Sequence, residues 1–220
     1  MKTKKKIKFV DSLAIKYNQL VNIDNDFIAN EIITKYNNIL QKSSETYSSG
    51  DNSGGKVRQL NGNLVEEIFQ TITYLLLLKN NLTLENYKLT GKKKDSVKVT
   101  SKNGFFFASV DVHVRIPRKP SIFTECKAYL DKCYLDRASS DFRHLKKATP
   151  NSVSIVLCLE NGIADESEAF FMDEGYIDKI FYLVDGKRSP TRPIWKIEYY
   201  KPINRKKLDE LIQYVEQIII

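Results

Sequence analysis

Cysteine, histidine and long apolar runs are all scarce in this chain, and each scarcity removes a class of protein. The three cysteines, Cys126, Cys133 and Cys158, are odd in number and scattered, which argues against a disulfide scaffold and for reduced thiols in a cytosol. Only His113 and His144 accompany them, and no Cys/His spacing resembles a zinc site. The leucine run 75–78 is far too short to span a bilayer. Residues 1–9 are basic like the start of a signal peptide, but no apolar stretch of the needed length follows. A soluble, cytoplasmic protein without membrane contact is therefore expected. What the chain does hold is positive charge: 35 Lys and Arg against 27 Asp and Glu give a formal net charge of +8. That excess favours an anionic partner such as nucleic acid.

Two strand-like runs carry the most informative residues. In Phe106–Ile116, strict alternation sends Ala108, Val110, Val112 and Val114 to one face and Ser109, Asp111, His113 and Arg115 to the other. Ser121–Tyr129 follows a short connection around Pro117 and Pro120, so an antiparallel hairpin is the natural pairing. Glu125 and Lys127 then share a face, while Cys126 turns to the apolar side with Ile122, Thr124 and Ala128. A cross-strand ion pair on a solvated sheet is the plain alternative. The acid on one strand and the acid-x-lysine on the next favour a functional reading, because together they can hold a hard cation and a water against a phosphodiester.

Val110-Asp111, a gap, and Glu125-Cys126-Lys127 resemble the signature of the PD-(D/E)XK nuclease superfamily, whose members include type II restriction endonucleases. Val110 stands where that signature usually has proline. The resemblance implies an α/β fold, a restriction-endonuclease-like mixed β-sheet flanked by helices, here with an N-terminal helical segment. It also implies Mg²⁺ held by the carboxylates of Asp111 and Glu125 and the backbone carbonyl of Cys126, with Lys127 orienting or helping to deprotonate the attacking water. A helix before the catalytic strands often supplies a further glutamate in a Gly-x-x-x-Glu context, which Gly62 to Glu66 matches. On the wheel defined by Val57, Leu60, Leu64, Ile68, Ile72 and Leu75, however, Glu66 lies nearly opposite the apolar stripe and Glu67 on its flank. The motif favours Glu66, and a solvated helix face accounts for either acid. His113 shares the Asp111 face, where a solvated or hydrogen-bonded strand histidine is the leading reading over a proton carrier. The phrase Lys127-x-Tyr129-Leu130-Asp131 resembles an extension seen in some type II restriction enzymes.

At 220 residues the chain can bury one good core. A single domain, 1–220, is expected, with a helical part and flexible loop over 1–55, a catalytic core over 56–160 and helix and strand elements over 161–220. Leu13, Tyr17, Leu20 and Val21 form one N-terminal helical stripe, and Phe27, Ile28, Ile32, Ile33 and Tyr36 a second. Ser43–Gly55 reads as a flexible loop, open to two accounts: closing over DNA or plain disorder. Gly91–Lys94 reads as a basic turn, for phosphate contact or for solubility. Beyond Lys127, the residues Leu130, Cys133, Tyr134, Ala138, Phe142 and Leu145 trace one helical face that ends before Thr149-Pro150. Ser152–Leu159 reads as a buried strand, which completes a strand-strand-helix-strand order. A basic loop, Asp185–Pro193, precedes a predicted strand Ile194–Tyr199, and a final helix 206–220 has an apolar end suited to core or dimer contact.

Lys56, Arg58, Lys93, Arg137, Arg143, Lys187, Arg188 and Arg192 are the candidate contacts to double-stranded DNA. A homodimer or a pair of subunits would let both strands be cut. Two other functions stay open at this point: a structure-specific repair or recombination nuclease of the same fold, and a noncatalytic DNA-binding module whose acids are surface pairs.

Overall fold

The computed structural model describes residues 9–20, 22–48, 53–82, 88–91, 96–115, 117–189, 191–194 and 196–220. Three helices come first, α1 (Phe9–Tyr17), α2 (Asn25–Ser48) and α3 (Ser53–Lys79). Five strands follow: β1 (Lys88–Gly91), β2 (Val97–Ser101), β3 (Gly104–Ala108), β4 (Val112–Arg115) and β5 (Ser121–Leu130). The rest is α4 (Lys132–Ala148), β6 (Ser152–Asn161), α5 (Asp165–Asp173), β7 (Lys179–Tyr182), a 3₁₀ turn (Ile197–Tyr199) and α6 (Arg205–Ile219). Five strands pair in the order β1-β4-β5-β6-β7, and β2-β3 forms a separate two-stranded ribbon. The β1/β4 and β4/β5 pairs are antiparallel; β5/β6 and β6/β7 are parallel. The protein is thus α/β, a mixed sheet flanked by helices, with the expected β4-β5-α4-β6 order at its centre.

Side-chain alternation divides the interior in two. Ile122 and Cys126 of β5 and Ile155, Leu157 and Leu159 of β6 face a core shared with α1, α2, α3 and α6. Phe123 and Leu130 of β5 and Val156 and Cys158 of β6 face a second core shared with α4, α5 and the ribbon. Central strands covered on both faces read as nearly continuous apolar runs, which is why β6 was legible. α3 is buried almost all round from Leu64 to Leu77, because α2 lies on one side and the sheet on the other. A single stripe was expected there; a helix sandwiched between two layers needs more than one.

Several expectations change. α2 continues through Ser48 and α3 begins at Ser53, so most of Ser43–Gly55 is helical and only 49–52 lies outside the described residues. Buried Ser43 donates to Asn61 Oδ1 at 3.3 Å, tying α2 to α3 within the segment read as loop. α1 ends at Tyr17, leaving Leu20 exposed, and Val21 lies outside the described residues. In α4 the Asp131 side chain caps the helix by accepting from Tyr134 N–H at 2.9 Å. That cap fixes the phase, so Leu135, Ala138, Ser139, Phe142 and Leu145 turn inward while Cys133 and Tyr134 are exposed. The predicted strand Ile194–Tyr199 does not form. Lys196 N–H bonds Pro193 O at 3.1 Å and Tyr199 N–H bonds Lys196 O at 2.8 Å, curling the chain into a 3₁₀ turn. α6 buries Leu208, Leu211, Ile212, Val215 and Ile219 in the first core, so that stripe serves packing. Of the basic turn at Gly91–Lys94, only Gly91 is described, as the last residue of β1.

Gly162 stands where two backbones meet. Its N–H donates to Leu130 O at 2.9 Å, and a Cβ at this position would fall 2.6 Å from that same oxygen. Gly162→Ala should destabilise the protein by about 1–3 kcal/mol through forced backbone movement, read as a lower denaturant midpoint at unchanged slope.

Candidate active site

The run Phe106–Ile116 is two strands. β3 ends at Ala108, β4 begins at Val112, and Ser109–Asp111 form a bend outside the ladder. Ala108 and Val110 pack in the second core but Val112 and Val114 in the first, so the four do not share one face. Parity along a sequence cannot register a bend that carries the chain to the other side of the sheet. Asp111 sits at that bend, beside the Val112–Thr124 pair that starts the β4/β5 register.

Its buried carboxylate is held from two directions. Asp111 Oδ2 accepts from Cys126 N–H at 2.9 Å and from Lys127 Nζ at 2.7 Å. Lys127 Nζ also donates to Glu125 Oε2 at 2.7 Å, so one ammonium bridges two acids from neighbouring elements. The Asp111 and Glu125 side chains are 4% and 12% exposed and that of Lys127 is 21% exposed, so Lys127 is the most accessible member of a largely buried cluster. Two carboxylates and one ammonium leave an excess of negative charge in a poorly hydrated place. Burial pushes the Glu125 carboxyl up to about 7, with Lys127 opposing the rise and Asp111 adding to it. Burial alone would lower the Lys127 pKa, but Glu125 and Asp111 outweigh it and hold it above the ordinary lysine value. Lys127 is therefore a cation in this arrangement and donates to both acids.

Around this centre the face grades from apolar to polar. His113 is buried with its ring 4.5 Å from that of Phe123, its register partner, so it is not a solvated strand histidine. On the other side of the site, two residues beyond Lys127, Tyr129 lies under the Arg188 guanidinium at 3.4 Å and meets the Tyr134 ring at 5.7 Å. The Lys127-x-Tyr129-Leu130-Asp131 phrase thus has a physical content: an aromatic ledge, a buried leucine and a helix cap.

The two candidate glutamates of α3 separate. Glu67 pairs with Lys35 of α2 at 2.7 Å. Glu66 lies close enough to Cys126 to help raise its thiol pKa, after burial and Asp111. Asp141 of α4 comes near the same site: burial chiefly raises its pKa, and the charges of Lys127 and Asp111 reach it. The two-residue step from Lys127 to Tyr129 was visible in the strand alternation, whereas the approach of Asp141 depends on how α4 docks. Arg137, Arg143 and Arg192 are exposed. Lys187 is committed to Asp165 and to Ile163 O, each at 2.7 Å. Lys56 and Arg58 lie in α3 with side chains outside the described residues, as is all of Lys93.

Among the described residues no group of three or more His, Cys, Asp or Glu side chains is placed to hold a metal ion. Asp111 and Glu125 nonetheless suit a hard divalent cation, being paired oxygen donors with negative charge to spare, provided a backbone carbonyl and waters complete the shell.

No family model matches the chain. Over 123 residues it is 32% identical to the type II restriction enzyme DdeI of Desulfomicrobium norvegicum (strain DSM 1741 / NCIMB 8310), a match covering 50% of this chain and 51% of that enzyme. The chain spans about half the length of the curated relative it matches. Among solved structures, the native BbvCI A2B2 tetramer aligns over 97% of both chains at 12% identity with a TM-score of 0.39, a likeness too low to carry an argument. Over half its length, the chain is related to a type II restriction enzyme.

Proposed function

We propose that this protein is a type II restriction endonuclease of the PD-(D/E)XK kind, hydrolysing phosphodiester bonds of double-stranded DNA with Mg²⁺. The observation that carries the reading is the ammonium of Lys127 held 2.7 Å from both Asp111 and Glu125 in a largely buried cluster. The relationship of half the chain to a restriction enzyme supports it. In this reading Asp111, Glu125 and the Cys126 carbonyl hold the cation. A bound Mg²⁺ polarises the scissile phosphate and acidifies water. The Cys126 N–H fixes the Asp111 carboxylate, which needs no rearrangement when substrate arrives. Lys127, a cation, orients the attacking water and faces the charge that grows on the phosphate oxygens. Glu66 supports the same site from α3 through water or a second ion, and Asp141 borders it from α4. Two copies, or paired subunits, bring two such sites to the two strands.

Incubation with a long, unmethylated duplex of known sequence should give discrete fragments with Mg²⁺ and none with chelator. Cutting that follows DNA structure instead of sequence would point to a repair or recombination nuclease. Binding with no cleavage would point to a noncatalytic module.

A further inference from the structure

The β2-β3 ribbon has an inner and an outer face. Val97 pairs with Ala108 and Val99 with Phe106; Val99 and Ala108 are buried in the second core, and the Phe106 ring meets His144 of α4 edge-on at 5.1 Å. The alternate positions, Lys98, Thr100, Phe105 and Phe107, therefore face away from α4. Phe105 and Phe107 are 59% and 60% exposed with rings 5.7 Å apart, and Lys98 Nζ stands 4.1 Å from the Phe105 ring centre. Two phenylalanines side by side in water are an unusual outlay of apolar surface, and such patches mark contacts. Residues 96–110 contain Lys98 and Lys102 and no acid, so the surface that covers them should be anionic. A symmetric contact with the same ribbon of a second copy would set lysine near lysine.

Resting on the nuclease reading above, we propose that the outer face of the ribbon is a DNA contact in which Lys98 meets phosphate and Phe105 and Phe107 lie against bases. A two-stranded ribbon fits the major groove, where a phenylalanine ring can lie against base edges such as the thymine methyl. Three residues, Ser109–Asp111, separate the end of the ribbon from β4, which places the contact next to the chemistry.

The test is a titration of fluorescein-labelled, unmethylated duplex DNA with the whole protein, Ca²⁺ in place of Mg²⁺, at several salt concentrations. The double variant Phe105→Ala/Phe107→Ala should bind about 10–100-fold more weakly at every salt concentration, with the slope of log K against log [salt] unchanged. Lys98→Ala should reduce that slope by about one. Phe105→Trp/Phe107→Trp should retain binding, and because the rings are exposed, all variants should melt like the wild type. Wild-type affinity in the double alanine variant would overturn the ribbon assignment and leave the nuclease reading standing. If that variant instead lost self-association at unchanged DNA affinity, the patch would belong to a second copy. A wild-type protein that binds no duplex at all would overturn both readings.

Discussion

Asp111→Asn should reduce single-turnover cleavage by about 10³-fold or more, roughly 4 kcal/mol of barrier, while DNA binding and the melting temperature stay near those of the wild type. Asparagine preserves the volume and one acceptor oxygen, so the N–H of Cys126 that now reaches Asp111 Oδ2 at 2.9 Å keeps a partner in a buried place. What goes is the charge. Lys127 then serves Glu125 alone, and the negative excess available to a divalent cation is gone. With Asp111 neutral, one of the influences that raise the Glu125 carboxyl disappears as well, so Glu125 should titrate below about 7. Cleavage by the asparagine variant at the wild-type rate would remove Asp111 from the chemistry.

Lys127→Ala should act on both activity and stability. The two buried carboxylates would face each other with no ammonium between them, and breaking a buried charge cluster in this way costs about 3–5 kcal/mol. In a protein of this size that corresponds to a melting temperature lower by roughly 6–20 °C. The dependence on pH follows from the sign of the shift. Glu125 already has a folded pKa above the unfolded one, so its cost is absent in acid and grows as pH rises from the unfolded value near 4.5 through the folded value of about 7. Losing Lys127 removes the influence that opposes the rise, so the deficit of the variant should be small near pH 4 and large near pH 8. Mg²⁺ should raise the melting temperature of the variant more than that of the wild type, since a cation can then settle between the acids. The lack of any Mg²⁺ response in either protein would argue against a cation site on Asp111 and Glu125.

How far the sequence could be read is decided by the range of the interactions involved. The β4/β5 hairpin, the shared face of Glu125 and Lys127 and the inward turn of Cys126 all follow from alternation over a few residues, and all three hold. The same alternation misled at Phe106–Ile116, because it persists across the bend at Ser109–Asp111 while the packing changes sides. Glu66 and Glu67 differ by a single helical step. The positions of Lys35, on another helix, and of Cys126, on β5, separate them. The phase of α4 follows from Asp131 as its cap, with Leu135 turned inward where a stripe through Leu130, Cys133 and Tyr134 was expected. Ser43 and Asn61 look like loop residues until α2 and α3 lie side by side.

The bend that carries Asp111 also joins two parts of the molecule with different work to do. Ala108 is the last residue of the ribbon and Val112 the first of the central sheet, so the acid is the final link of a three-residue tether. A chain that short, at no more than about 3.6 Å per residue, has little slack. Like a short connecting rod it sets the distance from ribbon to carboxylate, and the bonds from Cys126 N–H and Lys127 Nζ to Asp111 pin its far end. On the nuclease reading, a duplex seated on the ribbon would thereby be held in fixed register with the Asp111 carboxylate.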